Sequence, residues 1–101
     1  MKSSESERSR QALQRTLDDL VVLLDKHRVA YGATVREIAG RVAADREGLS
    51  TEDRHRLLGG MGSLTDVWIS KRNGHDVDDE RSANAELDRL RHRLREFLSP
   101  T

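Results

Sequence analysis

The 101-residue sequence contains no cysteine. Disulfides, thiol catalysis and every cysteine-containing zinc or iron–sulfur site are thereby excluded. Aromatic side chains are nearly as scarce, with Tyr31, Trp68 and Phe97 one of each kind, so a core has to be assembled from Leu, Val, Ile and Ala. Net charge is missing too: 18 basic and 18 acidic residues cancel, although 36% of the chain is charged. A nucleic-acid binder advertises itself by positive charge gathered on one face, so nucleic acid is disfavoured as a partner, a local patch aside. No apolar run approaches the ~18 residues that a membrane span needs. The N-terminus is polar and acidic where a signal peptide needs an apolar stretch, and a cytoplasmic protein without membrane contact is expected. Fifteen of the 18 basic residues are Arg, a bias that suggests a GC-rich bacterial genome.

What is present is helical periodicity. A chain of this length makes one domain and buries roughly two thirds of its unfolded surface, enough for one modest core. Residues 1–6 are expected to fray. From about Ser6, Leu13, Leu17, Leu20, Leu24, His27 and Tyr31 alternate at spacings of four and three, with Val21 and Leu23 widening the stripe. That is a core-facing helical face, closed by Gly32 in the left-handed position past a C-terminus. Thr34-Val35-Arg36-Glu37 then matches a capping box, and Val35, Ile38, Ala39, Val42 and Ala43 form the next apolar face. Gly40 inside it costs about 1 kcal/mol relative to Ala, which suggests close approach of another helix. Ser50 or Thr51 caps a short third helix through Leu57 and Leu58, with Glu52 and Asp53 in its favourable first turn.

The last helix opens with Asp78, Asp79 and Glu80 and closes with Arg91, Arg93 and Arg95, both ends complementing the dipole. Ala83, Leu87, Leu90, Leu94 and Phe97 repeat the four–three seam, and the single proline, Pro100, lies just beyond. The matching seams of the first and last helices predict an antiparallel pair, closed inside one chain or, in a homodimer, between two.

Between helices lies the run Gly59-Gly60-Met61-Gly62-Ser63-Leu64-Thr65-Asp66-Val67-Trp68, with three of the seven glycines and the only tryptophan. A short helix over 64–72 is expected, entered through a Ser63-to-Asp66 capping box. Val67-Trp68-Ile69 before Asn73-Gly74 could instead form a strand entering a hairpin. A phosphate loop needs a Lys-Ser/Thr pair after its glycines, where Leu64-Thr65 stands, and a dinucleotide fingerprint fails on spacing. An anion cradle from free amides at Gly62 and Ser63 stays as the alternative. A tight structural junction outweighs it, and a recognition loop offering Met61 and Trp68 is the third reading.

Other candidates have simpler explanations. His75 with Asp76, Asp78, Asp79 and Glu80 could suit a divalent cation, but acidic residues entering a helix are what its dipole favours, so no metal and no cofactor is expected. His27 on the apolar stripe reads as a buried neutral imidazole with one hydrogen bond. His55 and His92 read as solvated. The basic run Arg89, Arg91, His92, Arg93 and Arg95 is interleaved with Glu86, Asp88 and Glu96, which predicts a salt-bridged solvated face.

The run Gly-Gly-Met-Gly-Ser-Leu-Thr-Asp, with Asn73-Gly74-His75 shortly after, resembles a signature of small bacterial helical proteins of unknown function. The resemblance extends from about Leu57 onward, with Thr65 where that pattern carries Asn. It implies a helical fold and a bacterial origin, and some such proteins look like immunity or accessory partners of larger effectors.

The sequence therefore predicts an all-α chain, a compact four- to five-helix domain spanning 1–101 with long antiparallel first and last helices. The expected function is non-enzymatic binding of another protein, with Gly60, Met61, Gly62, Ser63, Asp66 and Trp68 as the contact residues. The alternative is a small anionic ligand or nucleotide phosphate held by 59–63.

Overall fold

The computed structural model describes residues 2–44, 49–59 and 62–98. Among them the chain is all-α: α1 (Lys2–Lys26), α2 (Tyr31–Ala44), α3 (Thr51–Leu58) and α4 (Glu80–Leu98). Two single 3-10 turns, Leu64–Asp66 and Lys71–Asn73, interrupt the stretch before α4. No strand forms among the described residues, which removes the hairpin. The short helix expected over 64–72 is also corrected: it shrinks to these two turns, separated by extended backbone.

Periodicity explains the core. Leu17, Leu20 and Leu24 of α1, Val35 and Ile38 of α2, Leu57 of α3, and Leu87 and Leu94 of α4 are fully buried and belong to one cluster. Each buried Leu or Ile contributes about 1.5–3 kcal/mol relative to exposure. Leu64, Ile69 and Val77 from the irregular stretch join the same cluster, so that stretch is part of the core's wall. Phe97, expected on the seam of α4, is 37% exposed instead, one turn beyond the last buried layer at Leu94.

Both long-helix neighbours of α1 run antiparallel to it. Arg10 Nη2 reaches the Val42 carbonyl at 2.9 Å and Gln14 Nε2 the Ala39 carbonyl at 3.1 Å, while Arg36 pairs with Asp25 at the other end. The C-terminal turn of α1 lies against the start of α4, where Asp76 N–H donates to the His27 carbonyl at 2.8 Å.

The junction after α1 departs from expectation for a clear reason. The helix ends at Lys26, five residues before Tyr31, and Arg28 rather than Gly32 takes the left-handed conformation (φ 56°). Val29 N–H bonds the Leu24 carbonyl at 2.8 Å and Arg28 N–H that of Asp25 at 3.1 Å, the paired bonds of a Schellman motif. Gly32 lies inside α2, where a Cβ would stand 2.9 Å from Asp25 Oδ1 and 3.2 Å from Leu24 Cβ. Its missing side chain lets α2 fold back tightly on α1. Gly40, by contrast, has open space around a would-be Cβ, so no helix among the described residues approaches it closely. Thr34 falls inside α2, and the capping box expected there is not used.

Ser50 caps α3 as predicted, accepting from Asp53 N–H at 3.0 Å. Asp53 is buried and receives Arg41 Nε and Nη2 at 2.9 and 2.7 Å, with Arg56 Nη1 at 3.3 Å. The Arg41 bonds hold this carboxyl below its ordinary value, against the opposing effect of burial. A carboxyl whose pKa falls on folding stabilises above its unfolded value, about 3.9, and loses that contribution as pH drops through the folded value. Urea midpoints across pH are therefore expected to fall in acid for the wild type. The Asp53→Asn variant should be less stable at pH 7 but show a flatter acid limb below pH ~4.

Candidate functional site

The segment from Gly62 to Val77 forms no α-helix, yet many of its backbone polar groups find partners within the fold. Ser63 is buried and caps the first 3-10 turn, its hydroxyl accepting from Thr65 N–H at 3.2 Å and lying 2.7 Å from Thr65 Oγ1. Asp66 returns a carboxylate oxygen to Gly62 N–H at 3.4 Å, one residue ahead of where a capping box places it. Gly62 adopts φ 77°, a conformation a side chain would resist. Gly59 has a different constraint: a Cβ there would lie 2.3 Å from the His55 carbonyl oxygen. Gly59 thus caps α3, and the Gly62 amide is turned toward Asp66 ahead of the Ser63 cap. Gly60 and Met61 lie outside the described residues.

Two buried polar side chains of α4 complete the support, and sequence reasoning missed both. Asn84 accepts Ile69 N–H at 2.8 Å while its Nδ2 donates to the Ile69 and Glu80 carbonyls, each at 2.8 Å. Its amide serves both backbone groups of Ile69, as a neighbouring strand would. Arg91, 7% exposed, sends Nη1 to the carbonyls of Leu64 (3.1 Å), Thr65 (3.3 Å) and Val67 (3.0 Å). Its Nη2 pairs with Asp88. The solvated basic face expected for α4 is therefore wrong at Arg91: the two N–H groups of Nη1 are shared among three carbonyls of a chain with no ladder of its own, while Nη2 faces Asp88. Arg89–Glu86 and His92–Glu96 do form the expected surface pairs. Asn84 and Arg91 stand seven residues apart beside Ala83 and Leu90. Polar residues recurring two turns apart at the rim of an apolar stripe were the available signal.

Trp68 stands between these two supports. Its neighbours Val67 and Ile69 are held by Arg91 and Asn84, and its own carbonyl accepts Asn73 Nδ2 at 3.0 Å. The ring is nevertheless 54% exposed. The second 3-10 turn then closes on Gly74 (φ 83°), with Gly74 N–H to the Lys71 carbonyl at 2.9 Å and His75 N–H to that of Ser70 at 3.1 Å. Ser63 and Asp66 thus shape the segment, and Trp68 is the large apolar side chain that it leaves displayed among the described residues.

The acidic stretch before α4 serves local ends. Asp79 accepts Ser82 N–H at 3.1 Å and the Ser82 hydroxyl at 2.9 Å, and these bonds hold its carboxyl below the usual range. Among the described residues no three His, Asp or Glu side chains converge to hold a metal ion. His27 is half-buried and donates from Nδ1 to the Asp76 carbonyl at 2.7 Å. A shallow open cleft of about 310 Å³ runs beside it, between Leu23 and Lys26 of α1 and Asp79 and Glu86 at the start of α4. No helix is long and apolar enough to cross a membrane among the described residues.

The chain matches no protein-family model, no curated protein and no solved structure.

Proposed function

We propose that this chain is a non-enzymatic protein-binding module, an immunity-type or accessory partner of a larger bacterial protein, that docks through Trp68 and the turns around it. One observation carries the reading: a 54% exposed indole on a backbone pinned from both sides by α4. Tryptophan is enriched among the residues that dominate binding energy. A segment already fixed before contact avoids much of the ordering cost that binding otherwise incurs. The near-neutral charge of the chain fits a protein partner better than a polyanion.

The test has two stages. Tagged protein is used to recover a stoichiometric partner from a bacterial host, and calorimetry then compares wild type with Trp68→Ala. The variant is expected to bind roughly tenfold more weakly or worse while melting within about 4 °C of the wild type, since an exposed side chain contributes little to stability. Equal affinity of the two proteins would remove Trp68 from the interface. A small molecule turned over by the wild type, with no partner recovered, would replace the proposal by an enzymatic one.

A further inference from the structure

Two histidines bracket the stretch after Trp68, His75 within the turn and His27 just past α1, and their Nδ1 atoms face opposite kinds of neighbour. Resting on the docking role just proposed for Trp68, we propose that His75 makes this surface acid-sensitive: its neutral ring holds the turn closed, and its protonation opens it. Ser70 N–H donates to His75 Nδ1 at 3.1 Å. An Nδ1 that accepts has no proton of its own, so His75 is the neutral Nε2–H tautomer. Adding a proton sets a second N–H against the Ser70 N–H, and the bond is lost. His27 behaves differently. Its Nδ1 points at the Asp76 carbonyl at 2.7 Å, a bond the ring donates in its Nδ1–H form and keeps as imidazolium. Acid therefore spares the bracket between α1 and Asp76 while releasing the turn beside it.

As the ring stands, no carboxylate among the described residues is paired with it. On its own segment stand Lys71, Arg72, Asp76 and Asp78. The end of α1 brings Lys26, His27 and Arg28, and the start of α4 brings Asp79 and Glu80. None of the carboxylates forms an ion pair with His75 among the described residues. The bond at stake closes a small circuit. Ser70 also accepts His75 N–H at its carbonyl (3.1 Å) and Asn73 N–H at its hydroxyl (3.2 Å). Asn73 in turn holds the Trp68 carbonyl at 3.0 Å. Opening at Ser70 is thereby passed to the backbone of the docking residue.

Nitrogen-15 NMR of the full chain without any partner tests this, so its outcome is independent of whether Trp68 docks. At pH ~8 the ring of His75 is expected to show a lone-pair Nδ1 and a protonated Nε2. On acidification from pH ~8 to pH ~5, the Ser70 amide and the Trp68 signals should move together with protonation of the His75 ring, and the protection of the Ser70 amide should fall roughly fivefold. His75→Ala should abolish the coupled shift and leave the turn in its open form at both pH values. An Nδ1–H tautomer at pH ~8, or a Ser70 amide indifferent to the titration of His75, would overturn the proposal.

Discussion

Arg91→Ala is expected to destabilise the domain by about 3 kcal/mol, near the upper end of single-substitution effects. The substitution removes the donor from three carbonyls at once. Leu64 O keeps a second partner in Val67 N–H at 3.2 Å, so the loss falls chiefly on the Val67 carbonyl. An unsatisfied buried carbonyl costs about 1–3 kcal/mol, and the Asp88 carboxylate loses its guanidinium partner as well. The aliphatic stem of Arg91 adds a packing loss. The damage cannot stay local, because Leu64 and Ile69 in the same segment are fully buried in the common core. At roughly 4–8 °C per kcal/mol for a domain of this size, the midpoint should drop by at least ~12 °C. Arg91→Lys offers one ammonium to carbonyls spread over four residues, so it should recover less than half of the loss. A variant melting within ~4 °C of wild type would mean that Arg91 is incidental to the segment.

Asn84→Asp is expected to be nearly as damaging at neutral pH, at about 2–4 kcal/mol, although only an NH2 becomes an oxygen. The acceptor for Ile69 N–H survives, but both donors, to the Ile69 and Glu80 carbonyls, disappear. A carboxylate would also occupy a position that is 3% exposed. Burial raises the pKa of such a group above its unfolded value, so the penalty is present while the carboxylate is charged and shrinks as pH falls through the raised folded pKa. The protonated acid can donate again. Relative to wild type, then, Asn84→Asp should recover stability on acidification already above pH ~4, whereas the gap of Asp53→Asn closes only below that value. Equilibrium denaturation of both variants between pH 7 and pH 4 separates the two cases, and a uniform loss across that range would contradict the buried-amide account.

The helical frame was readable because it rests on periodicity. Leu17, Leu20, Leu24, Leu87 and Leu94 recur at the spacing of a helical face, and all are buried. Ser50 was readable as a cap because its chemistry is local. The break after Lys26 was not, since a Schellman motif closed on Arg28 breaks the preference of non-glycine residues for negative φ, and Gly32 nearby offered the conventional stop. The demand on Gly32 comes instead from Asp25 and Leu24 across the junction, a contact that exists only after folding. The same holds for the site. Ser63 with Asp66 could be recognised as a cap, but the helix expected after it failed because Val67, Trp68 and Ile69 are β-branched or aromatic. The Val67 carbonyl and both backbone groups of Ile69 go instead to Arg91 and Asn84, residues 24 and 15 positions away. Local propensity carries no information about partners at that distance.

These elements together describe a helical frame whose final helix holds an irregular segment in place and leaves one tryptophan displayed. The Trp68 reading depends on that segment being ordered before any partner arrives. Backbone relaxation by NMR over residues 64–70 of the free protein measures this directly. Order parameters of ~0.85, equal to those of α4, are the predicted result, and values below ~0.6 across the segment would contradict a pre-formed docking surface.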